Sequence, residues 1–171
     1  MTYGQELLYN YLKVMIDYDE ILIDHRPDWL FGMELDFYFP KLNIAFEFQG
    51  HQHFAPSEKY GPCEDQKWRD KQKKKICEEH KISLVTVDAS ELEYTRLTFK
   101  IKQAIKKFKL NKKLRVHYER QNTDVIKKLK DLNKLSAKYR KLLRENYDDV
   151  TSYRKNSVVR KNAMRKAYKN T

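Results

Sequence analysis

Apolar and polar positions alternate with period two through residues 33–39 and again through Ile44–Gln49, a pattern that predicts two short strands. Leu35, Phe37 and Phe39 share one face of the first, with Glu34, Asp36 and Tyr38 opposite. In the second, Ile44, Phe46 and Phe48 oppose Ala45, Glu47 and Gln49. Pro40 and Asn43 bracket the reversal, as a strand-end proline and a turn-tolerant Asn do. A hairpin centred between Lys41 and Leu42 pairs Phe39 with Ile44, Phe37 with Phe46 and Leu35 with Phe48, and sets Asp36 against Glu47. A slip of one residue would separate that pair.

Elsewhere the period is that of a helix. Leu7, Leu8, Tyr11, Leu12 and Met15 form a stripe within residues 5–17, with Thr2 as the cap. Residues 20–24 read as a short strand, and Trp29, Leu30 and Phe31 as core. Residues 55–63, with Pro56, Gly61 and Pro62, read as a loop. Residues 65–80 read as a helix turning Trp68, Gln72, Ile76 and Cys77 inward. A β-branched run over 82–88 is a strand, and Leu97, Ile101, Ile105 and Phe108 mark a helix over 95–110. The order predicts an α/β sandwich over residues 1–110. A basic helical extension over 111–171 follows the polar hinge at 111–115. Within it, Val125, Leu129, Leu132, Leu135, Tyr139 and Leu142 form a stripe over 124–146 that packs on the core or on a second copy, so a dimer through that helix is one arrangement.

Charge sharpens the division. The chain carries +12 overall; residues 1–95 hold 11 Lys/Arg against 18 Asp/Glu, a balance of −7, and residues 96–171 hold 25 against 6, a balance of +19. A basic arm on a mildly acidic core points to a polyanion, nucleic acid first. No apolar run reaches 18 residues, which argues against a membrane span, and the first 17 residues lack the pattern of a signal peptide. Cys63 and Cys77 read as free thiols, and the expected compartment is the cytoplasm, a host's if the chain is phage-encoded.

Two carboxylates directly across a ladder sit about 5 Å apart and repel. A divalent cation bridging Asp36 and Glu47 would reverse the sign, because hard cations take carboxylate oxygens. The plainer reading is a solvated acidic face. His51 and His53 follow Gly50; a zinc site with Cys63 and Cys77 is set aside, since no Cys-x-x-Cys exists. His53 reads either as an acid–base group near the hairpin or as a loop histidine. Arg26 reads equally as a phosphate contact or as the partner of Asp24 or Asp28.

Asp36, a ten-residue gap and then Glu47-Phe48-Gln49 resemble the Asp…Glu-x-Lys core of the restriction-endonuclease-like nucleases, the PD-(D/E)XK superfamily, with Gln in the Lys position. Arg26-Pro27-Asp28-Trp29-Leu30, Glu34-Leu35-Asp36-Phe37-Tyr38, Phe46-Glu47-Phe48-Gln49-Gly50 with His53-Phe54, and Arg69-Asp70-Lys71 resemble a phage and bacterial branch related to very-short-patch repair and intron-encoded homing endonucleases. The resemblance implies a restriction-endonuclease-like fold, a mixed sheet flanked by helices, and a metal-dependent endonuclease acting on DNA, with Asp36 and Glu47 holding Mg²⁺ or Mn²⁺. It also implies that Glu6, in the first helix, approaches the metal. Gln49 can position water but supplies no positive charge, which shifts that role to His53 or Arg69. Expected nucleic-acid contacts are Arg26, Arg69 and Lys73, and in the arm Arg154, Lys155, Arg160 and Lys161. The alternative is a non-catalytic nucleic-acid-binding or assembly protein on a nuclease-like fold.

Overall fold

Thr2 begins the first helix. Its Oγ1 accepts from Gln5 N at 3.3 Å while Gln5 Oε1 accepts from Thr2 N at 2.6 Å, a reciprocal cap that satisfies two backbone donors. The computed structural model of the chain describes residues 1–16, 20–50, 63–108 and 123–147. Within them the elements run α1 (Tyr3–Met15), β1 (Leu22–His25), β2 (Leu35–Phe39), β3 (Ile44–Gln49), α2 (Cys63–Glu79), β4 (Ser83–Asp88), α3 (Tyr94–Phe108) and α4 (Thr123–Tyr147). The strands lie in the order β1-β2-β3-β4. β1, β2 and β3 form an antiparallel meander, and β4 returns parallel to β3 after α2. The protein is therefore α/β, as the alternation and helix periods predict, and its sheet is mixed.

The β2–β3 turn is a single helical turn, Pro40–Leu42, closed by Asn43 at φ +50°. That left-handed conformation suits Asn, whose short polar side chain tolerates it. The bridged pairs are Phe39 with Ile44, Tyr38 with Ala45 and Phe37 with Phe46.

Two apolar layers sandwich the sheet. Leu7, Leu8, Tyr11, Leu12 and Met15 of α1 meet Phe37, Phe39, Phe46, Phe48 and Val87 on one face, together with Leu97 and Ile101 of α3. On the other face Leu30, Leu35, Ala45, Cys77 and Ile82 pack under α2. Leu35 thus leaves the face shared by Phe37 and Phe39, a correction to strict alternation. Its cause is Asp36, whose side chain interrupts the ladder as described below.

Three further expectations change. Phe31 is 81 % exposed, because it and Gly32 take left-handed φ values of +52° and +78° that turn the chain outward after Leu30. Trp68 is also exposed, so the inward stripe of α2 is narrower than expected and centres on Ile76 and Cys77. Finally, α4 belongs to the core. Leu129, Leu132 and Tyr139 are buried in the α1–α3 layer. Tyr11 Oη donates to Asn133 Oδ1 at 2.6 Å, and Ser136 Oγ lies 3.1 Å from the same hydroxyl. The Asn133 oxygen also accepts from Tyr94 N at 3.1 Å, and Arg140 donates to Leu92 O at 2.7 Å. A boundary after residue 110 therefore does not separate α4 from the first unit, and of the two partners open to its stripe, the core or a second copy, the core is the one it meets.

Candidate functional site

The strand registers put acids in a row. β2–β3 pairs Phe37 with Phe46, so the next position outward sets Asp36 beside Glu47. β1–β2 pairs Ile23 with Phe37 and His25 with Leu35, which sets Asp24 beside Asp36. Glu47 is in turn paired with Thr86 of β4. Three carboxylates thus cross three neighbouring strands side by side.

At this row side chains replace the ladder. Phe48 N donates to Asp36 Oδ2 at 2.7 Å, and Asp36 N donates to Glu47 Oε1 at 3.4 Å. Asp24 sits at φ +50° inside β1, a conformation that Asp tolerates better than most residues. Carboxylate oxygens of Asp24, Glu34 and Asp36 all lie within 4.8 Å of one another.

Burial and like charge act together here. Asp36 is only 7 % exposed, and burial raises its pKa; Asp24 adds to the rise, against the Phe48 N–H, the Gln5 side-chain hydrogen bond and the Lys73 charge. Glu47 is pushed up to about 7, again chiefly by burial, with Asp36 raising and Lys73 lowering it. Lys73 of α2 reaches into the same place: its Nζ donates to Glu47 Oε2 at 2.9 Å and to Glu34 O at 2.7 Å, the two side chains being 15 % and 14 % exposed. Four carboxylates thus face Lys73 and Arg26. The oxygen-only donor set and the surplus of negative charge fit a hard divalent cation. Next to Lys73 on the helix face, the buried Cys77 thiol is pushed up to about 12 by desolvation and by Glu47.

The residues singled out from the sequence distribute as follows. Asp36 and Glu47 come together, as the hairpin register implies. Gln49 ends β3, half-buried and paired with Asp88. Glu6 stands in the first turn of α1, where after burial it raises the Tyr3 phenol; the α1 side chain bonded to Asp36 is that of Gln5. Arg26 pairs with Glu34, at 3.0 Å from Nε and 2.7 Å from Nη2, rather than with Asp24 or Asp28, and it also donates to Gly32 O at 3.3 Å. Arg69 is exposed on α2, one turn before Lys73. Lys73 is turned inward onto Glu47. His51, His53, Arg154, Lys155, Arg160 and Lys161 lie outside the described residues.

Asp24, Glu34 and Gln5 are additions to the site. The signal for Asp24 was a second register: aligning the strand at residues 20–24 with the hairpin places it opposite Asp36. The signal for Lys73 was its spacing, three and four residues before the inward Ile76 and Cys77. No family model matches the chain, and neither does any curated protein or solved structure.

Proposed function

We propose that this protein is a metal-dependent endonuclease that hydrolyses DNA phosphodiester bonds on a restriction-endonuclease-like fold. The observation that carries the reading is the row Asp24–Asp36–Glu47 with the Lys73 ammonium set against it. A solvated acidic face does not account for that row, because Asp36 and Glu47 are largely withdrawn from water. Neighbouring carboxylates withdrawn from water persist in folded proteins when something compensates them. The mixed sheet with helices on both faces agrees with what the motif resemblance implies.

Asp36 and Glu47 would hold the ion, with Asp24 and Glu34 beside them. A bound Mg²⁺ or Mn²⁺ lowers the pKa of water and stabilises charge on phosphoryl oxygens. The chain's own groups do the rest. Gln5 and the Phe48 N–H fix the orientation of Asp36, and Asp36 N holds Glu47, whose other oxygen Lys73 engages in the ion-free site. Gln49, lacking charge, is suited to orienting water. The exposed Lys67, Arg69, Lys71, Lys74 and Lys75 of α2 offer cations for the phosphate backbone, in line with the net charge of +12.

The test is incubation of the full chain with supercoiled plasmid in Mg²⁺ or Mn²⁺, beside a folded Asp36→Ala variant. Nicked or linear product with the parent chain, its loss with EDTA and its loss in the variant are expected. A folded protein that retains plasmid on a gel yet leaves it intact in both metals would assign a binding role instead.

A further inference from the structure

We propose that Lys73 is a resident counter-cation which a divalent metal ion displaces from Glu47, releasing its ammonium toward the phosphate. The inference rests on the nuclease reading above and adds to it a role for a helix residue.

Three observations carry it. First, both Glu47 oxygens are engaged by the protein: Oε1 accepts from Asp36 N at 3.4 Å and Oε2 from Lys73 Nζ at 2.9 Å. An ion shared by Asp36 and Glu47 meets on Glu47 an ammonium whose like charge opposes it at close range. Second, Lys73 is placed rather than incidental. It shares the inward face of α2 with Ile76 and Cys77, and its second acceptor is a backbone oxygen, Glu34 O at 2.7 Å. A lysine withdrawn from water to this degree carries a desolvation cost that these two acceptors offset. Third, the ammonium ends a flexible four-carbon stem, so it can change partner while α2 stays docked, and Gln49 offers no charge in its place.

Competition predicts a sign that a structural role does not. If Lys73 only braced Glu47, its removal would loosen the site and weaken cation binding. If it competes, removal strengthens binding while the reaction loses a positive charge.

The experiment is calorimetric titration of the full chain with Mn²⁺ alone, in low salt and without DNA, for the parent, Lys73→Met and Lys73→Gln. Both variants are expected to bind Mn²⁺ about 10-fold tighter or more, while single-turnover cleavage at saturating Mn²⁺ falls by about 10²-fold or more, the range for loss of one charge-stabilising group. Should Lys73→Met fail to fold by circular dichroism, Lys73→Gln decides, since it keeps a donor for Glu47 without the charge. A parent that binds Mn²⁺ with folded variants of unchanged or weaker affinity overturns the displacement and leaves the nuclease reading standing. A parent that binds no Mn²⁺ overturns both.

Discussion

Ending the chain at residue 110 removes α4, and we expect the remainder not to fold. Leu129, Leu132 and Tyr139 are buried against α1 and α3. At about 1.5–3 kcal/mol for each large apolar side chain removed from water, the three contribute roughly 5–9 kcal/mol. Their loss also exposes the α1 surface they cover and takes away Asn133 and Arg140, the hydrogen-bond partners of Tyr11, Tyr94 and Leu92. A buried polar group left unpaired costs about 1–3 kcal/mol more. Even discounted for residual burial in the unfolded chain, the total rivals the roughly 5–15 kcal/mol that holds an ordinary domain together. Circular dichroism melting of residues 1–110 should show no cooperative transition, whereas the full protein, which keeps α4, should melt cooperatively. In the full chain, Leu132→Ala should cost about 2–5 kcal/mol in urea unfolding. A 1–110 fragment that melts cooperatively within a few degrees of the full chain would refute the packing argument.

Other expectations follow from single contacts. Burial lifts Glu47 in the folded chain to about 7 from an ordinary value of 4.5, so the folded form holds that proton more tightly and stability falls as pH rises through this window, by about 3 kcal/mol. Asp36, also raised, acts in the same direction; Glu47→Gln should flatten the slope in urea titrations without divalent ions, and an unchanged slope would clear Glu47 of the effect. Gly4→Ala should destabilise by about 1–3 kcal/mol despite the better helix former, because a Cβ there would meet the Phe48 ring at 2.2 Å; an unchanged urea midpoint would mean the ring moves aside freely. In a Cys63→Ser background, Cys77 should resist Ellman's reagent until the protein is denatured, as a fully buried thiol with its pKa near 12 must; rapid labelling of native protein would show that α2 opens readily.

Much of the framework was legible from period alone. Phe37, Phe39, Ile44 and Phe46 pair as alternation requires, because Pro40 and Asn43 leave the turn one length. The α1 stripe and its cap were equally plain. The partner of α4 was not, because a stripe states that a helix is buried without saying where. The answer depends on Tyr11 meeting Asn133 and Ser136, 122 and 125 residues away. Leu35 escaped for a local reason: Asp36 takes the Phe48 N–H with its side chain, and past that point a two-residue period no longer holds. Phe31 escaped because its left-handed backbone faces it outward, which an apolar triplet does not reveal. Asp24 required two registers at once. Lys73 was hidden among like residues, its neighbours Lys74 and Lys75 being exposed.

The hairpin between Leu35 and Gln49 also carries an instruction about folding order. Its apolar pairs favour closure, while Asp36 and Glu47 at its open end resist it, so the isolated segment is a frustrated contact in an otherwise consistent landscape. Relief comes from Lys73, 26 residues beyond Glu47, and arrives only when the crossover helix docks. The zipper is thus expected to start at the Pro40–Asn43 end and to stay frayed at the acids until α2 is in place. The acidic end of the sheet is then the last part to set and, by the same logic, the first to open.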